Sequence, residues 1–166
     1  MPASHDRVLL DTNILLGLTR KAPWAEHAYR EFDLGNREVV TFTSIVCKGE
    51  ILAIAEKRRW ARAKRRRLEQ VLDQFPTVSI DDPQIVRAYA RIDAWTRGAA
   101  VDSPGAAPPP KPALPMGKND LWIAATAHAA GAALLSTDGD FTRLDGVWLK
   151  FSLVDQSPIN PDMPSK

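Results

Sequence analysis

Five short apolar runs, each closed by a polar residue or a turn, alternate along the chain with longer stretches in which apolar residues recur every three or four positions. The runs at 7–10, 39–42, 77–80, 132–135 and 147–151 are too short for helices and read as strands. The longer stretches read as helices with recognisable ends. Pro23 is a first-turn residue, followed by Ala25, Ala28, Tyr29 and Phe32 at helical spacing until Gly35 stops the pattern. Thr43 or Ser44 caps a helix carrying Cys47, Glu50, Leu52 and Ala53, which runs with a bend into a basic stretch. The helical pattern then resumes at Leu68, Val71, Leu72 and Phe75 before Pro76. Asp82 and Pro83 open a further helix with Ile85, Val86, Tyr89, Ile92 and Trp95 on one stripe, and Asn119 caps another that ends at Ala130 before Gly131. The segment around Gly17 reads as a loop.

Strands alternating with helices predict an α/β fold, with a parallel sheet of about five strands and helices on both faces joined by right-handed crossovers. At 166 residues the chain suits one domain. That domain is expected over 1–155, followed by a loose tail at 156–166 with Pro158, Pro161 and Pro164. Within it, 98–116 holds six of the 13 prolines and reads as an inserted flexible or polyproline loop. In such sheets a ligand binds outside the carboxyl ends of the strands. Asp11 and Asp138 fall there.

Composition adds compartment and charge. The hydrophobic fraction of 45% is ordinary for a globular protein. A single cysteine (Cys47), an N-terminal apolar run broken by Asp11 and Asn13, and no apolar stretch of membrane-spanning length predict a cytoplasmic protein without disulfides. The net charge of +2 hides an uneven distribution. Lys57, Arg58, Arg59, Arg62, Lys64, Arg65, Arg66 and Arg67 form a run of eight cations without an acid, and the remaining 14 Lys and Arg face 20 Asp and Glu, a balance of −6. A basic stripe on an acidic body suggests a polyanion held beside an acidic site, although such a stripe is commonly a solvated helix face.

Four acids stand at element ends or on a helix face: Asp11 after the first strand, Glu50, Asp120 in a first helical turn, and Asp138 after the fourth strand. Taken singly, each has a plainer reading as a turn residue, a solvated side chain or a helix-dipole partner. Gathered together, carboxylates repel and raise one another's pKa unless a cation neutralises them. Oxygen-only ligands suit Mg²⁺ or Mn²⁺ rather than zinc.

The segments LLDTNILLG (9–17), Ser44-x5-Glu50, NDLWIAATAHAAG (119–131) and LLSTDGDF (134–141) resemble, in content and order, the PIN-domain nucleases, and among them the VapC-like toxins of toxin–antitoxin pairs. Two features depart from that pattern: the length of the Pro-rich stretch and the lead-in VCKGEIL around Glu50. The resemblance implies that Asp11, Glu50, Asp120 and Asp138 form a catalytic, metal-binding acid set with Asp140 as an auxiliary ligand. It makes Thr12, Asn13 and Ser136 polar supports. It further implies Mg²⁺- or Mn²⁺-dependent hydrolysis of RNA, a cognate antitoxin and a homodimer. Arg58, Arg59, Arg62, Lys64, Arg65 and Arg66 become candidates for RNA contact, with antitoxin docking as the competing use.

Other readings are a housekeeping RNA-processing nuclease, a non-catalytic binding module, and a phosphatase of the haloacid-dehalogenase type built on Gly139, Asp140 and Asp145. The last requires an acid two residues beyond Asp11, where the chain has Asn13. His128 reads as a packed or surface residue, Cys47 as a small apolar one, and Trp24, Trp60, Trp95, Trp122 and Trp148 as core or partner-interface anchors.

Overall fold

Val8, Leu9 and Leu10 are all buried, although successive strand residues point to opposite faces, so the strand they form is covered on both sides. This strand, β1 (Arg7–Leu10), is central. The computed structural model, which describes residues 5–102 and 106–157, places it in a five-stranded sheet with β2 (Val40–Ser44), β3 (Thr77–Val78), β4 (Ala133–Ser136) and β5 (Lys150–Leu153). The order is β3-β2-β1-β4-β5 and every pairing is parallel. The expected α/β architecture is present. The strand order reverses between β1 and β4, and a crevice at such a switch point is where α/β sheets bind ligands.

The helices are α1 (Thr12–Thr19), α2 (Pro23–Glu31), α3 (Ile45–Lys57), α4 (Arg62–Asp73), α5 (Pro83–Thr96) and α6 (Lys118–Ala130), followed by a short 3-10 helix, Gly139–Leu144. Ser44 and Asp82 cap α3 and α5 as their residue types predict, each accepting a backbone N–H two residues on. Gly131 closes α6 in the left-handed region, at φ 60°. Tyr89 stacks on Trp122 at 4.0 Å between ring centroids, joining α5 to α6. Trp60 and Trp95 are buried, while Trp24, Trp122 and Trp148 pack partly buried on the core.

Several local expectations are corrected. The segment around Gly17 is not a loop but α1, because Asp11 caps it and Gly17 lets Trp24 and Ala25 close on it; a Cβ there would stand 2.8 Å from that of Ala25. The α3–α4 helix is broken rather than bent, at a corner where Arg59 takes φ 47°. Gly117, not Asn119, occupies the N-cap of α6. The strand expected at 147–151 starts at Lys150, since Val147 and Trp148 turn back to donate to the Leu144 carbonyl.

The described part of the Pro-rich segment is anchored rather than free. Trp95 Nε1 donates to the Ala107 carbonyl at 3.1 Å, Leu114 N to the Thr96 carbonyl at 2.8 Å, and Arg143 Nη1 to the Leu114 carbonyl at 2.7 Å. The tail expected to be loose lies outside the described residues from 158 onward. Among the described residues no helix is long and apolar enough to cross a membrane.

Candidate active site

Asp11 continues the sheet beyond β1, donating its N–H to the Leu135 carbonyl of the neighbouring strand at 3.0 Å, and then caps α1. Its side chain is therefore fixed at a strand end: Oδ1 accepts the Thr12 N–H at 2.7 Å and Oδ2 accepts the Ser136 hydroxyl at 2.5 Å. Cys47 Sγ packs 3.9 Å from Oδ1. Asp11 is 5% exposed. Burial pushes its pKa up to about 6; the bonds from Ser136 and Thr12 oppose that rise, and the nearby Glu50 and Asp120 add to it. Burial and the Asp11 carboxylate push the Cys47 thiol up to about 12.

Glu50, half-buried on α3, is held from two directions. Thr12 Oγ1 donates to Oε2 at 2.5 Å and Asn119 Nδ2 to Oε1 at 2.7 Å. These bonds tie the first sequence motif to the third through the second. Asn119 thus acts on Glu50 and not on the helix end, a role its place in a cap-like motif concealed.

Asp120, in the first turn of α6, is half-buried, and burial together with Asp138, Glu50 and Asp140 raises its pKa to about 6, while Arg143 opposes the rise. Asp138 donates its N–H to Ser136 Oγ at 3.0 Å and accepts the Asp140 N–H at 2.8 Å, so it caps the 3-10 helix. Asp140 is exposed and pairs with Arg143 Nη2 at 3.5 Å. Asn13 lies half-buried in the first turn of α1. Arg143 was not among the sequence candidates. Its three-residue spacing from Asp140 was the available signal, and it links the acid rim to the Pro-rich segment through Leu114.

The crevice therefore gathers carboxylates from four separate elements at the carboxyl ends of β1 and β4. Their donor chemistry, oxygen only, fits a hard divalent cation. As the side chains stand, no three His, Cys, Asp or Glu among the described residues are placed to hold one ion together. Asp11 and Glu50 turn their oxygens toward Ser136, Thr12 and Asn119 instead.

A cleft of about 670 Å³ lies at the other end of the sheet, lined by residues including His5, Arg7, His128, Trp148 and Lys150 near the strand starts. Size alone does not make it the reactive site, because no cluster of mutually shifted acids lines it. His128 there is packed, its Nδ1 2.5 Å from the Trp148 carbonyl. Asp145, the remaining acid of the phosphatase reading, accepts the Phe151 N–H at 2.9 Å and serves the approach to β5.

Of the basic stripe, Lys57, Arg58, Arg59, Arg62 and Arg66 are exposed at the end of α3, on the α3–α4 corner and on α4. Lys64, Arg65 and Arg67 are engaged: Lys64 Nζ lies 4.0 Å over the Trp60 ring, Arg65 pairs with Glu56 and donates to the Trp60 carbonyl, and Arg67 donates to the Thr19 carbonyl. The run is thus not wholly without a counter-acid, since Glu56 stands just ahead of it.

The model of the PIN domain matches residues 8–147. The chain belongs to the PIN-domain family. Comparison with curated protein sequences gives no match. Among solved structures, this PIN domain is similar in fold to a chain of VapBC2 from Rickettsia felis bound to a DNA fragment from its promoter, with a TM-score of 0.67 and 18% identity over 90% of this chain and 99% of that one. It is likewise similar to VapBC-1 from nontypeable Haemophilus influenzae (TM-score 0.64, 21% identity, 89% and 97% covered) and to DNA-bound VapBC from Salmonella typhimurium (0.63, 21%, 87% and 97%).

Proposed function

We propose that this PIN domain is an endoribonuclease that hydrolyses RNA phosphodiester bonds with Mg²⁺ or Mn²⁺, and that it is the toxin of a toxin–antitoxin pair. The observation that carries the chemistry is the convergence of Asp11, Glu50, Asp120 and Asp138 from four elements, with Asp11 and Asp120 both raised to about 6. Buried acids that raise one another's pKa form a site poised for a cation or a proton. The residues that would hold the ion are Asp11, Glu50, Asp120 and Asp138, with Asp140 at the rim. When bound, the ion stabilises charge on the attacking and leaving oxygens of an in-line displacement.

The chain's own residues set the geometry. Ser136 orients Asp11, and Thr12 with Asn119 orients Glu50. No covalent protein nucleophile is needed. The antitoxin partner rests on likeness of fold to chains from VapBC complexes. The decisive assay incubates the purified protein with total RNA. Cleavage lost on chelation and lost in Asp120→Asn supports the reading, whereas activity that survives both treatments sinks it. Co-expression with the product of a neighbouring small reading frame tests the antitoxin: inhibition and co-purification are expected, and a freely active nuclease points to housekeeping RNA processing instead.

A further inference from the structure

The fold turns the basic stripe into a braced corner. Trp60 N donates to the Ala55 carbonyl at 3.0 Å, and Arg65 reaches back to the Trp60 carbonyl at 3.0 Å and the Ala55 carbonyl at 3.4 Å, so the turn between α3 and α4 is pinned from inside. Arg67 pins α4 to the end of α1 through the Thr19 carbonyl at 3.0 Å. The next residue of α1's exit is Arg20, exposed and close enough to Lys64 that, after burial, Arg20 and then Arg58 are what lower the lysine's pKa. Three cations thus act as internal braces or packing, and Arg20, Arg58, Arg59, Arg62 and Arg66 project from a fixed backbone into solvent.

Crowding like charges on one corner is unfavourable, and a polyanion relieves it. A rigid display also lowers the ordering cost of binding, and guanidinium forks match phosphate oxygens in pairs.

The corner has a defined relation to the acid crevice. α1 starts at the crevice with Thr12, α3 reaches it with Glu50 in its second turn, the two side chains being hydrogen-bonded, and both helices end at the corner, with Arg20 and Arg58. Each pair is separated by eight residues, about 12 Å at ~1.5 Å per helical residue. That distance spans three to four phosphates at the ~3.4 Å axial spacing of a strand stacked as in a duplex, and fewer in an extended single strand.

We propose that the α3–α4 corner, with Arg20, is a second contact surface for the RNA, so that the substrate is an RNA reaching several nucleotides beyond the bond cut at the crevice. This rests on the ribonuclease reading for the identity of the polyanion. The contact is to backbone phosphates: its affinity is salt-dependent and indifferent to sequence.

The test measures binding rather than cleavage. In the Asp120→Asn background, fluorescence anisotropy follows a labelled single-stranded RNA of about 20 nucleotides, longer than the ~4–16 nucleotides of common single-strand sites. The triple variant Arg58→Gln/Arg62→Gln/Arg66→Gln is compared with a charge-matched control, Arg30→Gln/Arg37→Gln/Arg87→Gln, drawn from exposed arginines elsewhere. The corner triple is expected to weaken binding at least ~10-fold and to flatten the slope of log K against log salt by about 2, since each single-strand phosphate contact contributes ~0.7. The control is expected to change neither. Unchanged affinity in the corner triple overturns the proposal and leaves the corner to a protein partner or to solvent. Equal losses in both triples also overturn it, because net charge alone then explains binding. Wild-type cleavage with and without chelator is scored separately, so failure of the nuclease reading is visible apart from failure of the corner.

Discussion

Ser136 and Asp11, 125 residues apart in the chain, meet at the ends of adjacent strands, where the serine hydroxyl donates to Asp11 Oδ2. That bond opposes the rise that burial imposes on the Asp11 pKa. Replacing Ser136 with alanine leaves a buried carboxylate oxygen without its donor, at a cost of about 1–3 kcal/mol. The Asp11 pKa is then expected to move above about 6, and the acid limb of any pH–rate profile that requires ionised Asp11 to shift to higher pH. An unmoved limb would show that Asp11 ionisation does not govern the rate.

The metal-free protein is expected to lose stability as pH rises. Asp11 and Asp120 each have a folded pKa of about 6 against the ordinary carboxyl value of 3.8, so the folded state binds protons more readily than the unfolded one. Their stabilising contribution is fully present below about 3.8 and is lost as pH rises through about 6. For Asp11 it amounts to roughly 3 kcal/mol, at ~1.36 kcal/mol per tenfold change in proton affinity. Half-exposed Asp120 contributes less, because solvent screens it. Chelated protein melted between pH 4 and 7 should show the decline, and Asp11→Asn should flatten it. A Tm that climbs across this range through the site acids contradicts the assignment.

Divalent cation should raise the melting temperature at neutral pH. Binding to the folded state alone stabilises by about 2.7 kcal/mol when the ion is at 100 times its Kd. Titration with Mg²⁺ and Mn²⁺ by thermal shift measures the effect, and Asp120→Asn should abolish most of it. Equal shifts in wild type and variant would place the ion elsewhere.

Asn119→Ala removes one of the two donors that orient Glu50. Asn119 is exposed, so little stability is at stake. Loss of a bond that orients a ligand commonly costs ~10–100-fold in metal affinity or activity. Activity and ion affinity are expected to fall together in that range while Tm stays within a degree or so of wild type. Full activity in the variant would mean that Thr12 alone suffices to hold Glu50.

Gly17→Ala sets helix propensity against packing. Alanine inside α1 gains about 1 kcal/mol in propensity, but its Cβ meets Ala25 Cβ at 2.8 Å and the Trp24 ring. Overpacking of this kind costs ~1–3 kcal/mol. The net expectation is a loss of about 1 kcal/mol in a denaturant melt; a gain would show that α2 yields without strain.

The chain's pattern was enough to establish the five strands, most helix limits and the positions of Asp11, Glu50, Asp120 and Asp138 at element ends or on a helix face. These are local properties: periods of two and 3.6, a cap residue, a glycine stop. What the pattern could not supply are the partners. Thr12 holds Glu50 across 38 residues and Asn119 holds it across 69, while a turn-like Asp-Thr-Asn with a glycine behind it became α1, capped by Asp11 and packed at Gly17 against Trp24 and Ala25. Likewise the fold alone divided eight equal-looking cations into braces and an exposed set, and fastened the Pro-rich segment through Trp95, Thr96 and Arg143. Local sequence encodes which element forms and where it ends. Which distant side chains then meet depends on the sheet order and the helix packing, and it is those meetings that shift the acids and hold them in one crevice.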